Sequence, residues 1–141
     1  MRLFTMPCVA ALGVSLALLG CGGGGAGVTV TGKVILGDKP LTIGSVIFRP
    51  DAAKGNQSKH EPTGRLDARG EYRLSTPGQD AVARGWYKIA VIAEQPVDPK
   101  NPYASPKPLI PPRYFNPDTS GLSVQVVLEP APGAYDLRLQ P

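Results

Sequence analysis

Residues 28–141 are predicted to form an all-β domain, a seven-stranded antiparallel Greek-key β-sandwich. Three observations indicate this class. Short segments alternate between apolar and polar residues with period two, as half-buried strands do. The chain also holds 17 glycines and 16 prolines, many of them between those segments, where turns require them. No segment beyond residue 27 keeps a helical period of useful length, and short strands separated by such turns are typical of sandwiches.

The alternation predicts seven strands, each ended by glycine, proline or polar turn residues. Their predicted bounds are 28–36, 45–49, 63–66, 71–76, 86–93, 122–128 and 135–139. Residues 37–40 are predicted to form a turn because proline cannot donate to a ladder, and residues 67–70 a hairpin turn with Gly70 at positive φ. The fifth strand is the most apolar, with Tyr87 and Ile89 on one face and Ala90 on the other, so we expect it near the centre of a sheet.

Two long connections are predicted to lie on the surface. Residues 51–61 contain nothing larger than alanine to bury, which is typical of an exposed loop. Residues 94–117 contain eight prolines, each of which fixes φ and removes an amide donor, so this Pro-rich loop is predicted to be neither helix nor interior strand. The next strand is expected to turn Leu122, Val124, Val126 and Leu128 inward.

Three tyrosines follow glycine with one residue between them. The pattern occurs at Gly70-Glu71-Tyr72, Gly85-Trp86-Tyr87 and Gly133-Ala134-Tyr135. Glycine supplies the turn and the tyrosine enters the core at the start of a strand, where its hydroxyl can bond to the backbone as in a tyrosine corner. We therefore expect a structural role for these side chains.

The N-terminus predicts export. Residues 9–19 are apolar and uncharged, but too few to cross a hydrocarbon core, which takes about 20 residues as a helix, so they indicate a signal peptide. Its end, Leu18-Leu19-Gly20-Cys21, resembles the bacterial lipobox. The resemblance implies that Leu18 and Leu19 fill the hydrophobic groove of the signal peptidase and Gly20 its small-residue subsite. It also implies cleavage before Cys21, a diacylglyceryl group on its sulfur and usually an N-acyl group on its amine. The alternative is a plain secretory peptide that leaves Cys21 as an ordinary thiol.

This interpretation divides the chain into a signal peptide (1–20), a lipidated cysteine with a glycine-rich tether (21–27) and the β-domain (28–141). Two acyl chains give stable anchoring to a membrane. In some lipoprotein families an aspartate after the cysteine favours the inner membrane, and Gly22 at that position favours the outer membrane here. Cys8 would leave with the signal peptide, so neither a disulfide nor a thiolate metal site is expected.

The β-domain resembles the carboxypeptidase-regulatory-like sandwich, which is also called transthyretin-like or prealbumin-like. The resemblance lies in Val30-Thr31-Gly32-Lys33-Val34, Asp38-Lys39-Pro40-Leu41, Gly44-Ser45-Val46-Ile47-Phe48, Asp67-Ala68-Arg69-Gly70-Glu71-Tyr72-Arg73-Leu74 and Gly85-Trp86-Tyr87-Lys88-Ile89-Ala90-Val91. Residues 110–122 are similar to a signature of small planctomycete-type lipoproteins that carry this domain. The family implies a seven-stranded sandwich without established catalytic residues. Trp86 and the long Pro-rich loop depart from its pattern.

The composition argues against several classes of function. The net charge is +4, and the basic residues are scattered rather than interleaved with aromatics, so no nucleic-acid partner is expected. His60, the single histidine, lies in a polar loop and lacks a nucleophile elbow or zinc motif around it. Hydroxyisourate hydrolases share the transthyretin-like fold but need several His and Arg residues and a C-terminal Tyr-Arg-Gly-Ser, which residues 137–141 lack. We therefore expect no enzyme activity.

No metal and no cofactor beyond the lipid on Cys21 are expected. Met1 and Met6 lie in the signal segment, and one histidine with one blocked cysteine cannot make a copper or zinc site. A calcium site at Asp67 is conceivable, but a β-turn explains Asp67 with Gly70.

Two surfaces are candidates for binding. Trp86 could face outward and stack on a sugar ring, or pack against a neighbouring loop. The Pro-rich loop carries Tyr103, Arg113, Tyr114 and Phe115, which suit protein contacts. The alternative there is that Tyr114 and Phe115 cap the end of the sandwich.

The predicted function is therefore that of a membrane-anchored, non-catalytic structural or protein-interaction module of the cell envelope. Its partners are expected to be membrane lipid, through the acylated cysteine, and an envelope protein or polysaccharide. Recognition of carbohydrate or cell wall by the same domain is the alternative, and a transthyretin-like hydrolase ranks third.

Overall fold

The computed structural model describes residues 27–141, so Leu18, Leu19, Gly20 and Cys21 lie outside the described residues. The described chain is all-β and forms two sheets, which confirms the predicted class. Its strands are β1 (Thr31–Leu36), β2 (Lys39–Pro40), β3 (Ser45–Pro50), β4 (Thr63–Arg65), β5 (Glu71–Arg73), β6 (Gly85–Ile92), β7 (Ser123–Val126) and β8 (Leu137–Leu139).

The first sheet is built around β1. Residues 31–33 of β1 pair with β5 and residues 35–36 with β2, both antiparallel. Residues 34–36 also pair with β8 in parallel, so the prediction of a wholly antiparallel sandwich is wrong at this strand. Parallel neighbours need a long crossover, which the chain between β1 and β8 provides.

The second sheet has the order β4-β3-β6-β7 and is antiparallel throughout. Its most apolar strand, β6, pairs on both sides, which confirms its predicted central place. Tyr87 and Ile89 are fully buried, as expected for its inner face. Ala90, on the other face, is also buried, and the 3₁₀ turn Pro112–Phe115 packs against this strand.

The core lies between the two sheets. Large side chains with almost no exposed surface come from both, among them Val30, Val34 and Leu74 from the first-sheet side and Val46, Phe48, Tyr87, Ile89 and Val91 from the second. Burying each such side chain contributes ~1.5–3 kcal/mol. In the absence of a disulfide within residues 27–141, this packing is the main source of stability.

A hairpin joins the sheets along one edge. Thr63 and Ser75 exchange two backbone hydrogen bonds, of 3.0 and 2.9 Å, and the amide of Asp67 donates to the carbonyl of Glu71 at 2.9 Å. Gly70 has a φ of 74°, where a side chain would be strained. The predicted turn at residues 67–70 is confirmed, and both sets of hydrogen bonds share one register.

The predicted turn at residues 37–40 is wrong for its second half, because Lys39–Pro40 forms the strand β2. The turn is limited to Gly37 and Asp38, with Gly37 at a φ of 62°. Pro40 then lies opposite Ile35, and the next amide, that of Leu41, donates to Val34 at 2.9 Å. The short β2 strand therefore closes without an amide from the proline.

The connection at residues 51–61 is more ordered than predicted. It contains the 3₁₀ turn Ala52–Lys54, and both Asp51 and Asn56 are buried. The amide of Asp51 and the Nδ2 of Asn56 both donate to the carbonyl of Trp86, at 2.9 and 2.8 Å. Polar residues are buried here because they satisfy one backbone acceptor of β6.

Two predictions near the C-terminal half need correction. Pro112–Phe115 forms a 3₁₀ turn although the Pro-rich loop was expected to contain no helix, and a proline at its first position costs no hydrogen bond. Leu128 was expected to point inward, but 62% of it is exposed because β7 ends at Val126.

The tyrosine pattern is structural, as predicted. Tyr72 donates its hydroxyl proton to the carbonyl of Tyr135, and Tyr87 donates to that of Ala83 at 2.8 Å. The hydroxyl of Tyr135 accepts the amide of Val127 at 3.2 Å. All three rings are buried, and each hydroxyl forms a hydrogen bond with the backbone.

Candidate functional site

The aromatic residues predicted for binding in the Pro-rich loop do not lie on one exposed surface. Tyr114 is buried, and Phe115 packs against the core. The hydroxyl oxygen of Tyr114 accepts two hydrogen bonds, one from the amide of Gln140 and one from Nη2 of Arg113, both at 2.8 Å. The Arg113 guanidinium also lies 4.7 Å from the Tyr114 ring centre. These residues therefore cap the end of the sandwich, which was the packing alternative.

Trp86 is half-buried on the outer side of β6. Lys54, from the 3₁₀ turn in the neighbouring loop, places its Nζ 4.0 Å from the centre of the indole ring. This cation–π contact is worth about 0.5–1 kcal/mol at a site open to water. The indole face that Lys54 covers is closed to a sugar ring, as expected for packing against a loop.

Tyr103 differs from the other predicted residues because 96% of it is exposed. It lies near the tip of the Pro-rich loop, in a segment whose base is closed by backbone bonds. The amide of Gln95 donates to Lys107 and that of Leu109 to Ala93, both at 2.9 Å. Two successive turns order the tip, since Asn101 bonds back to Asp98 and Ala104 to Asn101. The aromatic side chain is thus presented on a fixed backbone.

The sole histidine, His60, lies beside a small cavity. His60 is exposed and lines a cavity of about 230 Å³ beside Lys59, Thr76 and Tyr87. The Tyr87 hydroxyl already donates to the Ala83 carbonyl. Across residues 27–141, three or more His, Cys, Asp or Glu side chains nowhere come together as a metal site.

A larger cavity, of about 640 Å³, lies beside β1 and β5. It is named here the Arg65–Arg73 cleft, after two basic residues that line it together with Lys33, and Gly32 and the buried Tyr72 also contribute to its wall. A side chain at Gly32 would collide with the carbonyl of Tyr135, so glycine is needed for this wall to form.

The carboxylates of the cleft are already engaged. Glu71 contacts Lys33 at 3.3 Å and Arg69 at 3.1 Å. One oxygen of Asp67 accepts the amides of Glu71 and Arg69, and these bonds hold the pKa of Asp67 below its usual value. Asp136 accepts the amide of Lys33 at 3.0 Å.

Tyr72 is kept as a proton donor in this wall. Burial of its phenol, and to a smaller extent the nearby Asp136 carboxylate, raises the pKa of Tyr72 above its ordinary value. The hydroxyl therefore stays protonated at neutral pH and holds the Tyr135 carbonyl. A structural tyrosine, rather than an acid–base group, is what this environment produces.

A third polar group lies on the outer face of the second sheet. Arg49 and Lys88 stand opposite each other on β3 and β6, and both contact one oxygen of Asp118, Lys88 at 3.1 Å. The hydrogen bonds from Arg49 and Lys88 lower the pKa of Asp118, and the bond to Asp118 raises the pKa of Arg49. Asp118 therefore forms ion pairs with both cations.

Sequence reasoning did not find the Arg65–Arg73 cleft. Its basic residues were counted as scattered along the chain, although the predicted hairpin at residues 67–70 already brings the two strands together.

Comparison with known proteins gives no match to a family model, a curated protein or a solved structure. None of the helices in residues 27–141 is long and apolar enough to cross a membrane.

Proposed function

We propose that this protein is a membrane-anchored lipoprotein of the cell envelope whose β-sandwich is a non-catalytic protein-interaction module, with the Pro-rich loop as its contact element. The observation that carries the proposal is Tyr103, which is 96% exposed on a loop closed by backbone hydrogen bonds. The other four tyrosines are buried, and their hydroxyls are hydrogen-bonded.

An exposed aromatic on a rigid loop is well suited to binding a protein. Tyrosine supplies a large contact area with few rotatable bonds, and it is enriched among the residues that dominate interface energies. The loop is ordered before binding, so little conformational entropy remains to be lost. Val97 adds an exposed apolar side chain to the same loop, being 42% exposed.

A shallow cavity on the loop adds to this surface. About 210 Å³ is enclosed between the two arms of the loop, lined by Pro96, Val97, Ala104 and Lys107 among others. An apolar side chain of a partner fits such a notch beside Tyr103. We propose an envelope protein as that partner.

The anchor and the location belong to the same proposal. The Leu18-Leu19-Gly20-Cys21 motif supports lipidation of Cys21, and Gly22 favours the outer membrane. The two-sheet architecture supports the resemblance to a carboxypeptidase-regulatory-like, seven-stranded Greek-key sandwich at the level of the all-β class. The single exposed histidine favours a module without catalysis over a hydrolase. Carbohydrate binding through Trp86 is less favoured because Lys54 covers one face of its ring.

Site-specific photocrosslinking in cells tests the contact element. A benzophenone amino acid in place of Tyr103 is expected to give a discrete crosslinked protein, and the same amino acid in place of Leu128 serves as the matched control because Leu128 is also exposed, at 62%. Val97→Asp should reduce the Tyr103 product without changing the amount of protein. Identical products from both positions, or none from Tyr103, would contradict the interaction module.

The same cells test the anchor. The protein is expected in the membrane fraction and to require detergent for release, whereas Cys21→Ser should make it soluble. Release of the unaltered protein by a high-salt wash would show that no lipid anchor is present.

A further inference from the structure

The Arg65–Arg73 cleft has a feature that the proposed interaction module does not use. Thr63 pairs with Ser75 in an isolated bridge, and beyond it Arg65 of β4 and Arg73 of β5 belong to different sheets. Both arginines are exposed and both line the 640 Å³ cavity. Two like charges that share one cavity repel each other.

No carboxylate within residues 27–141 forms a direct ion pair with either arginine. Neither guanidinium group forms an ion pair or a hydrogen bond there. The nearby carboxylates of Asp67, Glu71 and Asp136 are already held by amides or by other cations. Two guanidinium forks are therefore left to face a shared cavity.

The charge and shape of this pair define the chemistry that would complete it. A guanidinium fork binds phosphate or carboxylate oxygens through two parallel hydrogen bonds. Two forks carry a charge of +2, which matches a phosphate monoester with its charge of about −1.5 to −2 at pH 7 better than a carboxylate. The cavity volume lies in the range of about 300–1,000 Å³ that small-molecule sites occupy.

We propose that the Arg65–Arg73 cleft binds a phosphate monoester group, held between the two guanidinium groups where β4 of the second sheet meets β5 of the first. The group could belong to a small soluble ester or to a lipid headgroup, because both offer the same oxygens. Lys33 is paired with Glu71, and the carboxylates of the cleft already accept hydrogen bonds. The arginine pair therefore remains as the binding element.

Titration of the purified protein with inorganic phosphate and with glycerol 3-phosphate, followed by calorimetry, tests this site. Saturable binding is expected for both, and Arg65→Ala and Arg73→Ala should each weaken it at least tenfold. Arg73→Lys should give an intermediate loss because it keeps the charge without the fork. Arg84→Ala is the matched control, an exposed arginine outside the cleft, and should bind as the unaltered protein does.

Vesicles separate the two sources of phosphate. Sedimentation with phosphatidylcholine vesicles that do or do not contain phosphatidic acid is measured for the Cys21→Ser chain, so that an acyl anchor does not contribute. Binding that needs phosphatidic acid and both arginines assigns a lipid headgroup, and binding of the soluble esters alone assigns a soluble ligand. The absence of binding to phosphate, glycerol 3-phosphate and vesicles, or binding unchanged in Arg65→Ala and Arg73→Ala, would overturn the proposal. Thermal unfolding of each variant, expected to match the unaltered protein, verifies that the fold is intact.

Discussion

Two pairs of basic residues lie on the exposed surface of the sandwich, and within residues 27–141 only one of the pairs is matched by an acid. On the second sheet, Arg49 and Lys88 lie across neighbouring strands, and Asp118 from a loop reaches between them. Where the hairpin joins the two sheets, Arg65 of β4 and Arg73 of β5 line one cleft, and neither forms an ion pair within residues 27–141.

The difference shows that the placement of two cations on one exposed surface does not by itself determine whether they are paired. Asp118 is available on the second sheet because the chain leaves the 3₁₀ turn Pro112–Phe115 directly beside β6. The acids near Arg65 and Arg73 are instead used to hold the turn and the start of β1. One region is electrostatically complete, and the other is built to accept an anion.

The largest expected effect comes from removing the hydroxyl that holds the wall of the cleft. Tyr72→Phe should lower the free energy of unfolding by about 1–3 kcal/mol, because the buried carbonyl of Tyr135 loses its donor. Urea denaturation measures the loss. Tyr103→Phe is the control, since its hydroxyl is exposed, and should stay within about 0.5 kcal/mol of the unaltered protein. Equal losses in both variants would show that the Tyr72 bond does not support the cleft.

The sheets of this molecule were predictable because burial on one face imposes period two on the sequence. Tyr87 and Ile89 show this directly, since their alternation predicted both the strand and its central place. Leu128 shows the limit of the pattern: its apolar character continued the alternation, but the chain had already left the edge of β6. Local patterns do not record where a strand loses its neighbour.

The candidate site was harder to predict because its parts meet only after folding. Tyr114 stood among prolines and aromatics typical of a contact loop, yet its hydroxyl bonds to the amide of Gln140, 26 residues further along the chain. Asp51 and Asn56 read as surface residues, and they are buried because the Trp86 carbonyl needs donors. Only Tyr103, which depends on no distant partner, lies on an exposed surface as expected.

The group of Arg49, Lys88 and Asp118 predicts that stability depends on pH. Its two cations hold the pKa of Asp118 below the unfolded value of about 3.9, so this stabilisation is complete above about pH 5 and is lost as the pH falls through the lowered pKa of the folded state. Asp118→Asn lacks it at every pH. The difference in unfolding free energy between the unaltered protein and Asp118→Asn should therefore shrink from pH 5 downward.

Chemical denaturation between about pH 2 and pH 6 measures that difference, which is expected to be smaller than the Tyr72→Phe loss because the pair is exposed. Replacing both partners, as in Arg49→Met with Lys88→Met, should remove the pH dependence assigned to Asp118. A constant difference across the whole range would mean that the three charges do not interact in solution.

The smallest expected effect is at the Arg65–Arg73 cleft, where a substitution should raise the free energy of unfolding rather than lower it. Arg65→Glu replaces one of the two unpaired cations of the cleft with an acid that can pair with Arg73, so it should raise the free energy of unfolding by about 0.5 kcal/mol at low salt, and the gain should diminish as salt is added. Arg65→Gln, which removes only the repulsion, should gain less. Phosphate should stabilise the unaltered protein but not Arg65→Glu, because a ligand stabilises only the fold that binds it. A more stable variant that no longer responds to phosphate would mean that the chain keeps this repulsion for the sake of a ligand. A loss of stability in Arg65→Glu would show that the two arginines do not repel each other, and the contrast between the two pairs of basic residues would then have no energetic basis.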